Sequence, residues 1–332
     1  MKLYLAPMEG VVDYHVRALL TALGGLDGCV TEFVRVSAGA LPGRVFRRYA
    51  PELTQQCVTP SGVPVKLQLL GGNPELMALN ARRAVRAGAT SIDLNFGCPA
   101  KTVNKSDGGA CLLRQPERVG AVVQAVREAL PDTIPVSAKI RLGFDDRTAY
   151  LDNALAIAEA GADELTVHAR SKADGYRPPA YWEYIAEIRT ALTIPVVANG
   201  EIWSWEDFER CRAVTGCNRF MLGRGLLACP DLARQIKARL QDTQVKPMKW
   251  SDVCALLHRY YRLTQPDYPL KHSGNRIKQW LMYLRRQYPE AEAFFELIKR
   301  ERVPERIDDL LKTAARVGAY TPLGQEDTCK MS

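Results

Sequence analysis

Short apolar runs rich in β-branched residues recur along the first two thirds of this chain and alternate with longer stretches of helical period. The runs are Leu3–Ala6, Cys29–Val36, Val65–Leu70, Ser91–Phe96, Val136–Leu142, Glu164–Ala169, Pro195–Asn199 and Arg219–Leu222. They are more often continuously apolar than strictly alternating, which is the pattern of strands buried on both faces of a parallel sheet. Helical segments fall between them. Pro74–Ala87 follows the N-cap residue Asn73 and stops at Gly88; Pro116–Leu130 has proline in its first turn and stops before Pro131. Leu151–Ala160, Tyr181–Leu192 and Trp205–Val214 repeat the scheme, the last capped by Ser204. The unit after the second strand is weak, with a short pattern over Arg44–Tyr49 and much loop.

Eight strand–helix units in one chain predict a closed (β/α)8 barrel, a TIM barrel, within the α/β class. An open doubly wound sheet would carry a G-x-G-x-x-G turn after its first strand, and Leu5-Ala-Pro-Met-Glu-Gly10 is not one. The barrel domain is expected over 1–240. Residues 241–250 are polar, contain Pro247 and read as a linker. Beyond them the pattern is helical throughout: Asp252–Thr264, Asn275–Gln287, Glu290–Arg302 and Arg306–Val317 predict a small four-helix domain over 251–320, and 321–332 a flexible tail.

Charge sharpens the division. Residues from 244 onward hold 16 Lys and Arg against 11 Asp and Glu, whereas the longer part before them holds 29 against 26. The C-terminal excess suits either an acidic partner or an ordinary solvated helical surface. No apolar run reaches the ~18 residues that span a bilayer, and the N-terminus reads as a strand rather than a secretion signal, so a cytoplasmic protein is expected. The nine cysteines are odd in number and include no C-x-x-C pair, which predicts neither a disulfide framework nor a metal site.

Active sites of such barrels lie at the C-terminal ends of the strands. There this chain places polar residues where a structural barrel would use Val and Ile. Gly200 follows the seventh run, and Gly223 and Gly225 flank Arg224 after the eighth, the common phosphate position. Lys139 lies inside a strand, where it meets an anionic ligand group, forms a Schiff base, or pairs with a carboxylate such as Asp93 or Glu201. His168 and Gln68 can serve a cofactor or simply be satisfied core and rim residues. Cys98, between Gly97 and Pro99 on a rigid turn, is the sharpest single residue: a thiol of ordinary pKa, ~8.5, is a general acid, its thiolate a nucleophile, and inert packing the plain alternative.

These residues compose a pattern. Ala6-Pro-Met8, Asn95-Phe-Gly-Cys98-Pro99 with Lys101, Lys139-Ile-Arg141, His168-Ala-Arg170, Asn199-Gly-Glu201 and Gly223-Arg-Gly225 resemble the tRNA-dihydrouridine synthases over essentially the whole chain. Pro7-Met-Glu-Gly-Val11, Thr31-Glu-Phe-Val-Arg35, Lys101-Thr-Val-Asn104 and Arg276-Ile-Lys-Gln-Trp280 are most similar to the bacterial C subfamily. The resemblance implies FMN in the barrel mouth, held by Pro7, Met8, Glu9, Gln68, Lys139, His168, Asn199, Gly200, Glu201, Gly223 and Arg224, with NADPH as reductant. It implies hydride transfer to C6 of a uracil and a proton from Cys98 to C5. Asn95, Lys139 and Arg141 would hold the extruded base. Lys101 and Tyr176 would touch the RNA, and Arg35, Arg276, Lys278 and Lys299 would orient the tRNA for position 16 of the D-loop. The implied partner is tRNA; a monomer without metal or membrane is expected. Phe96, Lys105-Ser-Asp107, Ala169 and Ser171 depart from the pattern and remove no group the chemistry needs.

Rival functions are distinguishable. A small-molecule flavin dehydrogenase would share the barrel and the cysteine but has no use for the basic helical domain. A Schiff-base aldolase at Lys139 would be colourless. A non-catalytic RNA-binding protein would leave dihydrouridine unchanged on gene deletion.

Overall fold

The computed structural model describes residues 1–105, 107–269, 272 and 274–317. It divides into two compact units, Met1–Val245 and a second that begins at Lys246. The tail expected over 321–332 and the last residues of the expected helical domain, 318–320, lie outside the described residues.

The first unit is a closed parallel barrel. Its strands are β1 (Lys2–Leu5), β2 (Gly28–Val30), β3 (Val34–Arg35), β4 (Val65–Leu70), β5 (Ile92–Asn95), β6 (Val136–Arg141), β7 (Glu164–His168), β8 (Val196–Asn199) and β9 (Arg219–Leu222). β1 pairs with β2, β2 and β3 each pair with β4, β4 to β9 each pair with the next, and β1 pairs with β9 to close the ring. The run Cys29–Val36, expected as one strand, is two: β2 and β3 both pair with β4. Between Cys29↔Val65 and Val34↔Leu69 the bulged strand advances one residue more than β4. Thr31 explains the break, because its side-chain Oγ1 accepts the Gln68 N–H at 3.0 Å.

Strand period sorts the barrel residues into two sets. Leu67, Leu69, Leu94, Ala138, Ile140, Leu165 and Val167 are buried and alternate with the inward residues, so they face the surrounding helices. Their alternates face inward, because side chains on strands that are not neighbours meet there: Lys66 Nζ reaches Glu164 Oε1 at 2.6 Å, and Lys139 Nζ reaches Asn199 Oδ1 at 3.0 Å. The interior is divided. Tyr4, Ala6, Val30, Val197 and Met221 form an apolar cluster on one side. Lys66, Gln68, Asp93, Asn95, Ser137, Lys139, Arg141, Glu164 and His168 line the other. Near the barrel floor, burial pushes the Glu164 carboxyl up, but Lys66 and Arg219 outweigh it and hold its pKa below the usual range.

Several helices follow the expected caps. Asn73 Oδ1 accepts from Leu76 N at 2.8 Å, and Ser204 Oγ from Asp207 N at 3.2 Å. Tyr14–Ala22 and Leu232–Leu240 are helices that the apolar reading does not anticipate. The weak second unit consists of a helix at Gly43–Tyr49 and a 3-10 turn at Pro51–Thr54. A fully buried ion pair ties it down: Arg17 Nε and Nη2 meet Glu52 Oε1 and Oε2 at 2.8 and 3.0 Å. Such a fork satisfies both partners and recovers desolvation that a lone buried charge could not.

The second unit holds helices Trp250–Thr264, Asn275–Leu284, Glu290–Ile298 and Pro304–Val317. Trp250, placed by the sequence pattern at the end of a linker, is the first residue of a helix. Its ring packs on Tyr288 and Phe294, with centroids 5.9 and 6.0 Å away. Tyr260 stacks edge-on against Trp280, and His258 Nε2 meets Asp308 Oδ1 at 2.9 Å. Among the described residues no helix is long and apolar enough to cross a membrane, and no group of three or more His, Cys, Asp or Glu could hold a metal ion.

Candidate active site

β5 ends at Asn95, whose side-chain oxygen accepts the backbone N–H groups of Gly97 and Cys98 at 2.9 and 3.0 Å. This side-chain turn fixes where Cys98 stands. The carbonyl of Cys98 is held in turn by Ala110 N and Asn104 Nδ2, each at 3.1 Å. Gly109 has φ +71°, and a Cβ there would come within 2.9 Å of that carbonyl oxygen, so only glycine fits. The thiol itself is half-buried. Burial pushes its pKa above the ordinary value; the backbone of Ala100, which lowers it, and the charges of Arg141 and Arg35 do not cancel the effect, to which Glu9 adds. At neutral pH Cys98 is a thiol, able to give a proton rather than to attack as a thiolate.

Asn95 is itself held from below. Its Nδ2 donates to Gln68 Oε1 at 2.8 Å, Gln68 Nε2 donates to Asp93 Oδ2 at 2.7 Å, and Ser137 Oγ donates to Asp93 Oδ1 at 2.6 Å. Asp93 therefore does not bond Lys139, and neither does Glu201. Lys139 donates to Asn199, whose Nδ2 is anchored on Met221 O at 2.8 Å. Burial, and then the neighbouring charge of Arg141, lower the Lys139 pKa to about 8, with Asp93 opposing them. His168 is driven well below the ordinary imidazole value by burial and by Arg141, Lys139, Arg170 and Arg224, so it is neutral at pH 7.

Arg141, expected to hold a substrate base, is nearly enclosed. Nε donates to Gly97 O at 2.9 Å, and Nη1 to Ser171 O and Gly175 O at 3.1 and 3.0 Å. It fastens the Cys98 turn to the loop after β7. That loop carries Tyr176, 54% exposed, whose ring lies 5.1 and 5.0 Å from the guanidinium groups of Arg141 and Arg224. Glu201 has φ +55°, an uncommon conformation for a residue with a side chain. Its carboxylate spans Arg224 Nη2 and buried Arg170 Nη2, each at 3.1 Å, and accepts Trp203 Nε1. Arg170 Nη1 lacks a hydrogen-bond partner among the described residues.

The three glycines of the expected phosphate position differ. Gly200 has φ +122°, and a Cβ would meet the His168 ring at 3.0 Å. Gly223 opens toward Ala6 and Met8, with nothing closer than 3.6 Å. Gly225 serves packing instead, since a Cβ would lie 2.1 Å from Ile202 O. Pro7 and Met8 begin the turn after β1, where Met8 O accepts Val11 N and Val12 N, and Gly10 N reaches Glu32 Oε1 at 2.6 Å beside Glu9. Bare backbone at Gly200 and Gly223, the cations Lys139 and Arg224 and the amides of Gln68 and Asn199 form a donor set suited to a flat, polar-edged ring carrying a phosphate.

Other expected residues lie elsewhere. Lys101 is exposed at the start of the Lys101–Asn104 helix, and Arg35 Nη2 donates to Thr102 O at 3.0 Å. In the helical unit, Arg276 Nη2 donates to Tyr268 Oη at 2.8 Å, Lys278 Nζ to Glu301 O at 2.6 Å, and Lys299 pairs with Glu296. Asp93, named by the sequence only as a candidate partner for Lys139, and Ser137 support the Gln68–Asn95 pair from beneath; their signal was polarity inside an apolar run.

A family model described as dihydrouridine synthase matches residues 4–316. The chain is 49% identical over 317 residues to a tRNA-dihydrouridine(16) synthase of Pseudomonas putida, covering 96% of this chain and 98% of that one. It is likewise 49% identical over 314 residues to a tRNA-dihydrouridine(16) synthase of Shewanella oneidensis, covering 95% and 98%. Among solved structures, histamine dehydrogenase from Rhizobium sp. 4-9 superposes with a TM-score of 0.53 at 14% identity, over 79% of this chain and 49% of that one. A variant of NCR from Zymomonas mobilis gives 0.51 at 14% identity, over 74% and 88%. At such identity these two show a shared fold alone.

Proposed function

This chain belongs to the dihydrouridine synthase family, and we propose that it reduces a uridine of tRNA to 5,6-dihydrouridine at position 16 of the D-loop. The observation that carries this reading is the placing of Cys98 on a turn fixed by Asn95, beside a barrel mouth lined with Lys139, Arg141 and Arg224, where burial favours its protonated form. The mouth fits flavin mononucleotide, with Gly200 and Gly223 as bare backbone and Arg224 as the cation for its phosphate. Pro7, Met8, Glu9, Gln68, Lys139, His168, Asn199 and Glu201 complete the pocket. When bound, that group supplies the hydride, drawn from NADPH, that reaches C6 of the uracil. Cys98 Sγ gives the proton to C5. Asn95, Lys139 and Arg141 orient the extruded base, and Lys101 and Tyr176 border it. The reading places the enzyme in the cytoplasm, acting as a monomer on tRNA.

Arg35, Arg276, Lys278 and Lys299 grip backbone phosphate and set the orientation of the tRNA without reading bases. Lys278 already has burial and the charge of Arg302 against it, which lower its pKa, so a phosphate relieves it. The double variant Arg276→Ala, Lys278→Ala is expected to weaken tRNA binding most at low salt and to reduce the slope of log K against log salt by about 1 to 2. Filter binding across a salt series checks this, and an unaltered slope removes the helix from the interface.

The function is tested by dihydrouridine mapping on tRNA from cells lacking the gene. Loss at position 16 alone is the expected result. Loss at other positions keeps the chemistry and overturns the orientation assigned to Arg35, Arg276, Lys278 and Lys299. No loss at all, with a yellow purified protein, points to a small-molecule flavin enzyme.

A further inference from the structure

We infer that Asp93 is a positioning residue for the Cys98 turn: its carboxylate sets which way the side-chain amides of Gln68 and Asn95 face, and so presents an oxygen to the backbone N–H groups of Gly97 and Cys98. The inference rests on the reading of Cys98 as the proton donor.

A continuous line of hydrogen bonds runs from the barrel floor to the turn. Lys66 Nζ donates to Ser137 Oγ at 3.2 Å, and Ser137 Oγ donates to Asp93 Oδ1 at 2.6 Å. From the other end, the N–H groups of Gly97 and Cys98 donate to Asn95 Oδ1, Asn95 Nδ2 donates to Gln68 Oε1, and Gln68 Nε2 donates to Asp93 Oδ2. Donors therefore converge on Asp93 from both sides. Burial pushes the Asp93 carboxyl up, while Lys66, the Gln68 and Ser137 donors and Lys139 favour its charged form. Ionised, it is acceptor-only and satisfies both donors, whereas an amide of the same shape must turn an NH2 toward one neighbour.

Burial makes this polarity binding. Gln68 is 0% exposed, Asp93 1% and Ser137 2%, so a reversed amide has no water to turn to. If an asparagine at position 93 offered NH2 to Gln68, both amides beyond it would reverse, and Asn95 would end with its NH2 against the two N–H groups it now accepts. If it offered NH2 to Ser137, that hydroxyl, which accepts from Lys66 on one lone pair, would accept on the other and lose the acceptor for its own proton.

Three variants and one direct observation test this on the full chain. In Asp93→Asn, hydrogen exchange at the Gly97 and Cys98 amides is expected to quicken by about tenfold or more, the loss of one buried hydrogen bond. The kcat for uridine reduction should fall by a similar factor, with KM for tRNA unchanged. Ser137→Ala keeps the acceptor-only carboxylate, and both quantities should stay within about threefold of wild type. The double variant Asp93→Asn, Ser137→Ala removes the hydroxyl proton that competes for the amide oxygen and lets that oxygen face Gln68. The NH2 then lies unpartnered toward residue 137, so exchange and kcat should recover partway toward wild type. Packing damage would instead accumulate in the double variant, and that outcome overturns the inference, as does unchanged exchange or unchanged kcat in Asp93→Asn. Neutron diffraction on the wild-type protein reads the amides without any variant. Deuterium on the Gln68 atom nearest Asp93 and on the Asn95 atom nearest Gln68 is expected, and the opposite placement overturns the inference. The exchange and neutron measurements need no tRNA. Failure of the proton-donor reading shows separately, as full turnover by a Cys98→Ala enzyme.

Discussion

Cys98→Ala is expected to leave the protein yellow and able to bind tRNA while uridine reduction falls roughly 100- to 10,000-fold, the range a general acid contributes. The fall belongs to chemistry rather than to folding. The hydrogen bonds to Asn95, Asn104 and Ala110 that hold the turn end on the backbone N–H and carbonyl of residue 98; the sulfur meets the backbone of Ala100. Removing a half-buried thiol leaves Asn95, Asn104 and Ala110 their partners. Cys98→Ser keeps a proton on a far weaker acid and should recover little. The decisive measurement separates the half-reactions. Flavin absorbance should bleach at the wild-type rate on adding NADPH, and its return on adding tRNA should be slow. Fast return in the alanine variant would remove Cys98 from the proton transfer.

The barrel was legible because its outward face is apolar over every strand, and helices must cover it. Leu67, Leu94, Ile140 and Val167 carry that signal. The inward face carries the function, and there the pattern fails for a physical reason. Asp93 and Ser137 in an apolar run resemble tolerated exceptions until the ring closes and brings β4, β5 and β6 side by side. Lys139 could be weighed against two carboxylates from sequence, yet its bond goes to Asn199, two strands away. The break between β2 and β3 was hidden because Thr31, itself a good strand former, supplies the acceptor from its side chain. Tyr14–Ala22 escaped because Arg17, a charge on its buried face, obscures the apolar stripe; Glu52, distant in sequence, is what makes that burial possible. Among the glycines, position after a strand did not separate Gly223, which opens on the mouth, from Gly225, which packs on Ile202. The motif residues of the Cys98 turn were visible as a set because the turn is local in sequence, whereas its support comes from three strands.

Turnover at saturating tRNA is expected to decline above about pH 8, approaching tenfold per unit, and Lys139 is the group responsible. The sign follows from its surroundings. Burial and the Arg141 charge favour the neutral amine, so the folded protein loses this proton at a pH where an ordinary lysine would keep it. Below about 8 the ammonium is present, bonded to Asn199 and able to stabilise negative charge that develops in the mouth; above it that charge is gone. Cys98 cannot be the origin of the decline, because burial holds its pKa above the ordinary thiol value and its own loss comes at higher pH. Histidine cannot be the origin either, since His168 is already neutral throughout this range. Lys139→Met should lower turnover roughly 100- to 1,000-fold, as loss of a preorganised donor does, and should abolish the limb near pH 8. Lys139→Arg should keep part of the rate and lose the same limb, because a guanidinium stays charged. A limb that persists unchanged in the methionine variant assigns the titration to another group and removes the charge of Lys139 from the reaction.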